Sequence, residues 1–158
     1  QKVFSFWDQF RSARMQWLVA PMRRLTSIAD LCIPSAVLPK TMAEFCWAFP
    51  TQTSKRVEFR DLDPYNHVNN ATYFSYFEEA RVQKWRQHGD GLHATGIAPV
   101  LADVWCHYRK PIGLYDIVQI GMRVENVQPA HSSFEHRYLV WSEKLGSVVA
   151  QGGGTIVL

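Results

Sequence analysis

The sequence lacks the cysteine pattern of a disulfide framework or of a structural zinc site. Its three cysteines, Cys32, Cys46 and Cys106, are far apart, with no Cys-x-x-Cys pair and no cysteine and histidine cluster at zinc spacing. Small secreted domains depend on paired cysteines, whereas cytoplasmic proteins keep their thiols reduced. We therefore predict three free thiols in a cytoplasmic protein, with no metal site and no cofactor.

Long apolar runs are also missing. No uncharged apolar stretch reaches the roughly 18–20 residues that cross a bilayer as a helix. A signal-peptide pattern is absent from the start of the chain as well. Because the first residue is Gln1 and not methionine, this second absence carries little information about targeting.

Most of the chain lacks an excess of positive charge. The net charge of +3 comes from residues 1–30, which contain five basic and two acidic side chains. The rest of the chain balances 12 basic side chains against 12 acidic ones. A nucleic-acid-binding domain presents a basic surface on its folded part, so we predict no nucleic-acid partner.

Residues 1–50 are predicted to form a helical extension and linker. Apolar side chains recur at helical spacing up to about residue 19: Phe6, Phe10, Ala13 and Trp17. Prolines then interrupt the segment, and the part that follows is predicted to be an extended connection or a second short helix at about 42–47. The aromatic stripe of the first helix favours packing against protein, with contact between residues 1–20 and a membrane surface as the alternative.

Residues 51–158 are predicted to form one α+β domain. Val57 and Phe59 alternate with polar neighbours, which predicts a half-buried strand at about 55–60. A helix is predicted at about 70–88, followed by strands at about 97–109, 117–126, 133–142 and 147–157. One long helix beside adjacent strands indicates an antiparallel sheet. The three glycines at 152–154 indicate a bulge or the close approach of another stretch of backbone.

The most informative segment runs from Arg60 to Arg81 and reads RDLDPYNHVNNATYFSYFEEAR. It leads from the predicted strand through a polar turn into the start of the predicted helix. Unpaired N–H groups and the macrodipole at a helix N-terminus favour negative charge. A carboxylate and an imidazole beside such a helix start can act as base or acid while backbone N–H groups stabilise an oxyanion.

This segment resembles the hotdog-fold thioesterases of the 4-hydroxybenzoyl-CoA thioesterase type. The matching residues are Asp61-Leu62-Asp63, His67-Val68-Asn69-Asn70, Tyr73, Phe77-Glu78 and Ala80-Arg81. The resemblance extends over about residues 55–158 and implies a hotdog fold, in which an antiparallel sheet wraps around one long central helix. A homodimer or a dimer of dimers (a homotetramer) is also implied, since a dimer can pair sheet edges that would otherwise stay open.

The resemblance implies catalytic roles for two residues. Asp63, the second aspartate of the Asp-x-Asp turn, corresponds to the nucleophile or general base, and Asn70 corresponds to the backbone N–H donor to the oxyanion. Asp61 is predicted to be a structural turn residue that bonds nearby backbone N–H groups. Asn69 and Asn70 are both natural helix N-caps, and Asn69 is also a candidate for substrate binding.

The sequence leaves the roles of His67, Tyr73 and Phe77 open. His67 lies four residues after Asp63, the spacing of a histidine with a catalytic role in plant acyl-carrier-protein thioesterases; its alternative role is to shape the loop. Tyr73 and Phe77 suit the core of the domain, whereas the resemblance implies that they line the acyl chain along the helix.

The function implied by the resemblance is hydrolysis of an acyl-CoA thioester, or of an acyl-carrier-protein thioester, to a free acid and a thiol. The alternative is a non-catalytic hotdog module that binds acyl-CoA as a sensor or scaffold. The intact Asp63 favours the enzyme, because a binding module has no need for that carboxylate.

Overall fold

This computed structural model describes residues 31–86 and 99–158, which belong to one unit spanning Leu31–Leu158. The elements are helix α1 (Met42–Ala48), strand β1 (Thr51–Arg56), helix α2 (Thr72–Arg86) and strands β2 (Val100–Tyr108), β3 (Ile117–Gln128), β4 (Ser133–Ser142) and β5 (Ser147–Val157). The predicted first helix and any membrane contact of residues 1–20 lie outside the described residues. Neither α1 nor α2 is long and apolar enough to cross a membrane.

The five strands form one antiparallel sheet in the order β1-β3-β4-β5-β2. Strands β3, β4 and β5 follow one another as hairpins, and β1 and β2 occupy the two edges. The predicted bounds of β4 and β5 agree with the observed ones, and β3 extends two residues further than predicted. One long helix against an antiparallel sheet confirms the predicted α+β class and hotdog architecture.

Helix α2 packs on one face of the sheet and forms the main core with it. Tyr73, Tyr76, Phe77 and Ala80 are buried and recur at the three- and four-residue spacing of one helix face. Phe77 stacks on Tyr138 of β4, with ring centroids 4.4 Å apart and planes inclined by 12°. The first turns of α2 are thereby fixed against the centre of the sheet.

The opposite face of the sheet is covered by residues that precede β1. Leu38, Phe45 and Phe49 form a second apolar cluster with Leu139, Trp141 and Val148 of the sheet. The Gln151 side chain of β5 forms hydrogen bonds with both backbone groups of Ile33. The Ile33 N–H donates to Gln151 Oε1 at 2.8 Å, and Gln151 Nε2 donates to the Ile33 carbonyl at 3.3 Å. The folded unit therefore begins at Leu31, twenty residues before the predicted domain start at 51.

The first strand lies earlier in the chain than predicted. Strand β1 covers Thr51–Arg56, and Phe59 is 79% exposed in a 3-10 turn instead of facing the core. The side chains of Glu58 and Asp61 cap this turn reciprocally, and the Val57 N–H donates to the Asp116 carbonyl at 2.8 Å. The alternation of Val57 and Phe59 was misleading because the local capping at Glu58 and the bond from Val57 to the distant Asp116 turn the chain after Val57.

The glycines of β5 mark a close approach, as predicted. An added Cβ on Gly152 would lie 2.5 Å from Cε2 of Phe77 and 2.8 Å from the Trp105 carbonyl oxygen. The glycines pair in regular register with residues 104–106 of β2, and the pairing of β2 and β5 becomes irregular just beyond them, between Leu101 and Asp103. Glycine is needed at 152 so that the Phe77 ring can lie directly on the sheet.

Gly152→Ala should lower the free energy of unfolding by about 1–3 kcal/mol, because the methyl group overpacks the Phe77 ring. Urea denaturation measures the loss. The matched control is Gly113→Ala, whose added Cβ meets no atom within 4 Å, and we expect a change below about 0.5 kcal/mol there. Equal stability of the two variants would show that the sheet and the Phe77 ring accommodate the added methyl group at position 152 without loss of stability.

Candidate active site

The loop that carries Asp63 is closed by backbone hydrogen bonds. Asp63 N–H donates to the His67 carbonyl at 2.8 Å, and Asn66 N–H donates to the Asp63 carbonyl at 3.1 Å. Pro64 supplies the second residue of this turn, and Asn66 adopts a left-handed conformation with φ of 60°. An isolated bridge joins Leu62 to Val68 below the turn. The loop is therefore a defined structure and not an open connection.

The Asp63 carboxylate is oriented by that same loop. Its Oδ1 accepts the backbone N–H of Tyr65 at 2.8 Å and that of His67 at 3.2 Å. Among the described residues, no hydrogen bond uses its Oδ2. One oxygen thus fixes the carboxylate, and the other remains available to a reactant.

Asp61 connects this loop to α2. Its buried Oδ2 accepts the Glu58 N–H at 2.9 Å and the Tyr76 hydroxyl at 3.0 Å, and its carbonyl accepts the Asn69 N–H at 2.8 Å. Burial, and then the adjacent Asp61 carboxylate, raise the pKa of Tyr76, so its hydroxyl remains a donor. The predicted backbone contact of Asp61 is present, whereas its bond to Tyr76 was not foreseen from the pattern of residues.

At the start of α2, the Asn70 N–H is not used by any described residue. Asn69 Oδ1 accepts the Ala71 N–H at 2.9 Å, and the Asn69 carbonyl accepts the Thr72 N–H at 2.9 Å. Within residues 31–86 and 99–158, the Asn70 N–H has no hydrogen-bond acceptor. A free N–H at the positive end of a helix dipole can stabilise an anionic oxygen.

The remaining candidate site residues, His67, Tyr73 and Phe77, differ in their exposure to solvent. His67 is exposed, and its imidazole makes no hydrogen bond to any described residue. Tyr73 is 3% exposed and packs edge-on against Tyr108, with ring centroids 5.1 Å apart. Phe77 has no exposed surface, because it lies between α2 and β4. The structure thus brings Asp63, His67, Asn69, Asn70 and Tyr73 to the loop and helix start, while Phe77 lies in the core.

A buried histidine lies under the second half of α2, away from this loop. His136 of β4 is 1% exposed, and its Nδ1 has no hydrogen-bond partner among the described residues. Arg81, Trp85, Phe134 and Tyr138 surround it. Burial, and then the Arg81 charge, lower the pKa of His136 to about 3, so the imidazole is neutral near pH 7.

This histidine should make the protein sensitive to acid. Because the pKa of His136 is lowered from 6.5 in the unfolded chain to about 3 in the folded one, the unfolded state binds the proton first as pH falls. Its contribution to stability is complete above pH 6.5 and is lost as pH falls towards 3, at up to about 1.4 kcal/mol per pH unit. His136→Gln should flatten the stability profile between about pH 6.5 and 4. Urea denaturation at several pH values measures the slope, with the exposed His131→Gln as control; identical slopes would contradict the assignment.

Comparison with known proteins identifies the family. Residues 57–158 match the model of the thioesterase-like superfamily. The chain belongs to this superfamily. The match confirms the resemblance that rested on residues 60–81. Among the described residues of this thioesterase-like protein, no three His, Cys, Asp or Glu side chains are grouped to hold a metal ion.

Individual relatives of this thioesterase-like chain agree with the assignment. It is 32% identical over 115 residues to the long-chain acyl-CoA thioesterase FadM of Escherichia coli, covering 67% of this chain and 80% of FadM. A thioesterase of Thermus thermophilus, solved with coenzyme A and zinc, is 36% identical with a TM-score of 0.60, over 69% of this chain and 83% of that one. The DHNA-CoA thioesterase of Staphylococcus aureus, at 20% identity, shares the fold, with a TM-score of 0.60 over 68% of this chain and 72% of that one.

Proposed function

We propose that the protein hydrolyses acyl-CoA thioesters to a free acid and coenzyme A. The observation that carries this proposal is the presence of two groups on one short segment: the oriented carboxylate of Asp63, and the N–H of Asn70, which no described residue uses. Thioester hydrolysis needs a group that attacks or activates water, and a donor for the charge on the carbonyl oxygen. The two groups meet these two needs.

Two routes fit the carboxylate. In one, Asp63 Oδ2 takes a proton from water as the water oxygen attacks the thioester carbon. In the other, Oδ2 itself attacks, the C–S bond breaks, and water then hydrolyses the acyl-aspartyl anhydride. Either way the carbonyl oxygen becomes negative and accepts the Asn70 N–H, and the departing sulfur leaves as the thiol after protonation. His67, exposed on the same loop, is assigned to loop shape, since its backbone closes the turn.

The names of the relatives support CoA as the carrier. FadM is a long-chain acyl-CoA thioesterase, and the Thermus protein was solved with coenzyme A. Tyr73 and Asn69 lie at the helix start and are assigned to the wall of the acyl site. Tyr73 is 3% exposed and Phe77 has no exposed surface in the single chain, so contact of either ring with an acyl group requires a rearrangement around α2. An acyl-carrier-protein thioester is the second carrier to test.

A dimer through the edge of β2 is part of the proposal. Val100, Leu101, Val104 and Tyr108 on this edge are exposed apolar or aromatic residues, whereas the opposite edge, β1, reads Thr-Gln-Thr-Ser-Lys-Arg. Pairing two β2 edges would cover apolar surface and remove an open strand. Because Tyr108 lies beside Asn70, each site would then adjoin the partner subunit. Sedimentation at assay concentration tests this assembly, and a fully active monomer would contradict it.

A thiol-release screen over aromatic, short-chain and long-chain acyl-CoA esters, with acyl-carrier-protein thioesters in parallel, tests the function. We expect turnover on at least one CoA ester by the full chain. Binding of acyl-CoA without turnover on any ester would favour the alternative, a sensor or scaffold. Lack of both binding and turnover would refute both functions.

A further inference from the structure

The conformation of Asn70 is fixed from both sides. The peptide plane before it is held at the Asn69 carbonyl, which accepts the Thr72 N–H at 2.9 Å. The plane after it is held at the Ala71 N–H, which donates to Asn69 Oδ1 at 2.9 Å. The carbonyl in that second plane is the Asn70 carbonyl, and the group that donates a hydrogen bond to it comes from a distant part of the chain.

That partner is Tyr108, the last residue of β2. The Tyr108 hydroxyl donates to the Asn70 carbonyl at 2.9 Å. Partial burial, and then the neighbouring Cys106, raise the pKa of Tyr108 to about 12, so the hydroxyl keeps its proton under any ordinary assay condition. The ring also packs edge-on against Tyr73 with centroids 5.1 Å apart. The hydrogen bond from the Tyr108 hydroxyl therefore links the start of α2 to the edge of the sheet.

We propose that Tyr108 is a positioning residue for thioester hydrolysis: its hydroxyl holds the Asn70 carbonyl at the edge of the sheet, and the Asn70 Cα joins that peptide plane to the one that carries the oxyanion-binding N–H. Tyr108 acts on that N–H through the Asn70 backbone. The inference rests on the proposed function, since it assigns a role in that reaction. Sequence reasoning had no access to this contact, because Tyr108 and Asn70 are 38 positions apart.

The expected effect lies in kcat. An oxyanion donor contributes mainly in the transition state, and loss of one such donor costs roughly 10²–10³-fold in kcat. Loss of its alignment, with the donor still present, should cost less, about 10–100-fold. Substrate binding in the ground state does not depend on this alignment, so KM should change by less than about twofold.

The test is Tyr108→Phe, which removes the hydroxyl and keeps the ring on Tyr73. The thiol-release assay should show a loss of about 10–100-fold in kcat. The pH profile of kcat should be unchanged, because Tyr108 does not titrate in the assay range. The matched control is Tyr115→Phe, which removes a hydroxyl from an exposed ring and should leave kcat and KM as in the parent. Wild-type kcat in Tyr108→Phe, or a loss confined to KM, would overturn the proposal.

A second measurement does not depend on activity. Amide NMR of the labelled full chain should show shifts at Asn70 and Ala71 in Tyr108→Phe and none there in Tyr115→Phe. Unmoved Asn70 and Ala71 resonances would overturn the positioning role, whatever the kinetics. If the parent protein hydrolyses no thioester while these resonances do move, the proposed function fails and the structural link between Tyr108 and Asn70 stands.

Discussion

Asp63→Asn should lower kcat by about 10³-fold or more, which corresponds to roughly 4 kcal/mol of transition-state stabilisation. The substitution keeps the volume of the side chain and removes its charge. Asn Oδ1 can still accept the N–H groups of Tyr65 and His67, so the loop should keep its shape. The amide nitrogen that replaces Oδ2 can neither take a proton from water nor attack the thioester.

The measurement is thiol release at saturating substrate, with acyl-CoA affinity determined separately by calorimetry. Affinity and thermal stability should stay close to those of the parent. The control is Glu143→Gln, which also removes one negative charge and can keep the contact with Gln119. Asp63→Asn with more than a tenth of the parent kcat would exclude Asp63 as nucleophile or essential base.

Removal of residues 1–50 should yield an unstable, aggregating protein, whereas removal of residues 1–30 should leave a folded domain. The longer deletion takes away Leu38, Phe45 and Phe49 and uncovers Leu139, Trp141 and Val148 on the sheet. Burial of a large apolar side chain is worth about 1.5–3 kcal/mol, so loss of the cluster approaches the roughly 5–15 kcal/mol that stabilises a typical domain. The shorter deletion leaves the unit Leu31–Leu158 complete.

Yield in the soluble fraction and urea denaturation compare the two truncations. A matched point variant, Phe45→Ala in the full chain, should cost about 3–5 kcal/mol, because Phe45 is fully buried. Trp47→Ala on the same helix is the control, since Trp47 is 89% exposed. A stable, soluble 51–158 fragment would show that the sheet face tolerates exposure.

The part of the fold set by local pattern could be predicted from sequence. Turn residues delimit the strands β3, β4 and β5, and the segment around Asp63 is a contiguous motif, so these strands, the Asp63 turn and the helix start were visible in the chain. Strand β1 was misplaced because its polar sequence shows no alternation, and because the tertiary bond from Val57 to Asp116 and the local bond between Glu58 and Asp61 end it.

Contacts between distant segments could not be predicted. The prolines of residues 31–50 suggested a linker, yet the apolar residues among them cover the sheet through contacts with strands far along the sequence. The bonds from Tyr76 to Asp61, and from Tyr108 to Asn70, likewise depend on how α2 and β2 pack. No periodicity along the chain encodes such pairs.

The closed loop from Leu62 to Val68 has a consequence for engineering. Its ends are tied by the Leu62 to Val68 bridge and by the bond from the Val68 N–H to the Ile112 carbonyl, while Asp61 holds the flanking backbone. The residues between those ends, apart from Asp63, His67 and the left-handed Asn66, can therefore be exchanged, with the sheet and α2 serving as a constant frame. Libraries confined to positions 64 and 65 would vary the surroundings of Asp63 while the frame that presents the Asn70 N–H stays intact.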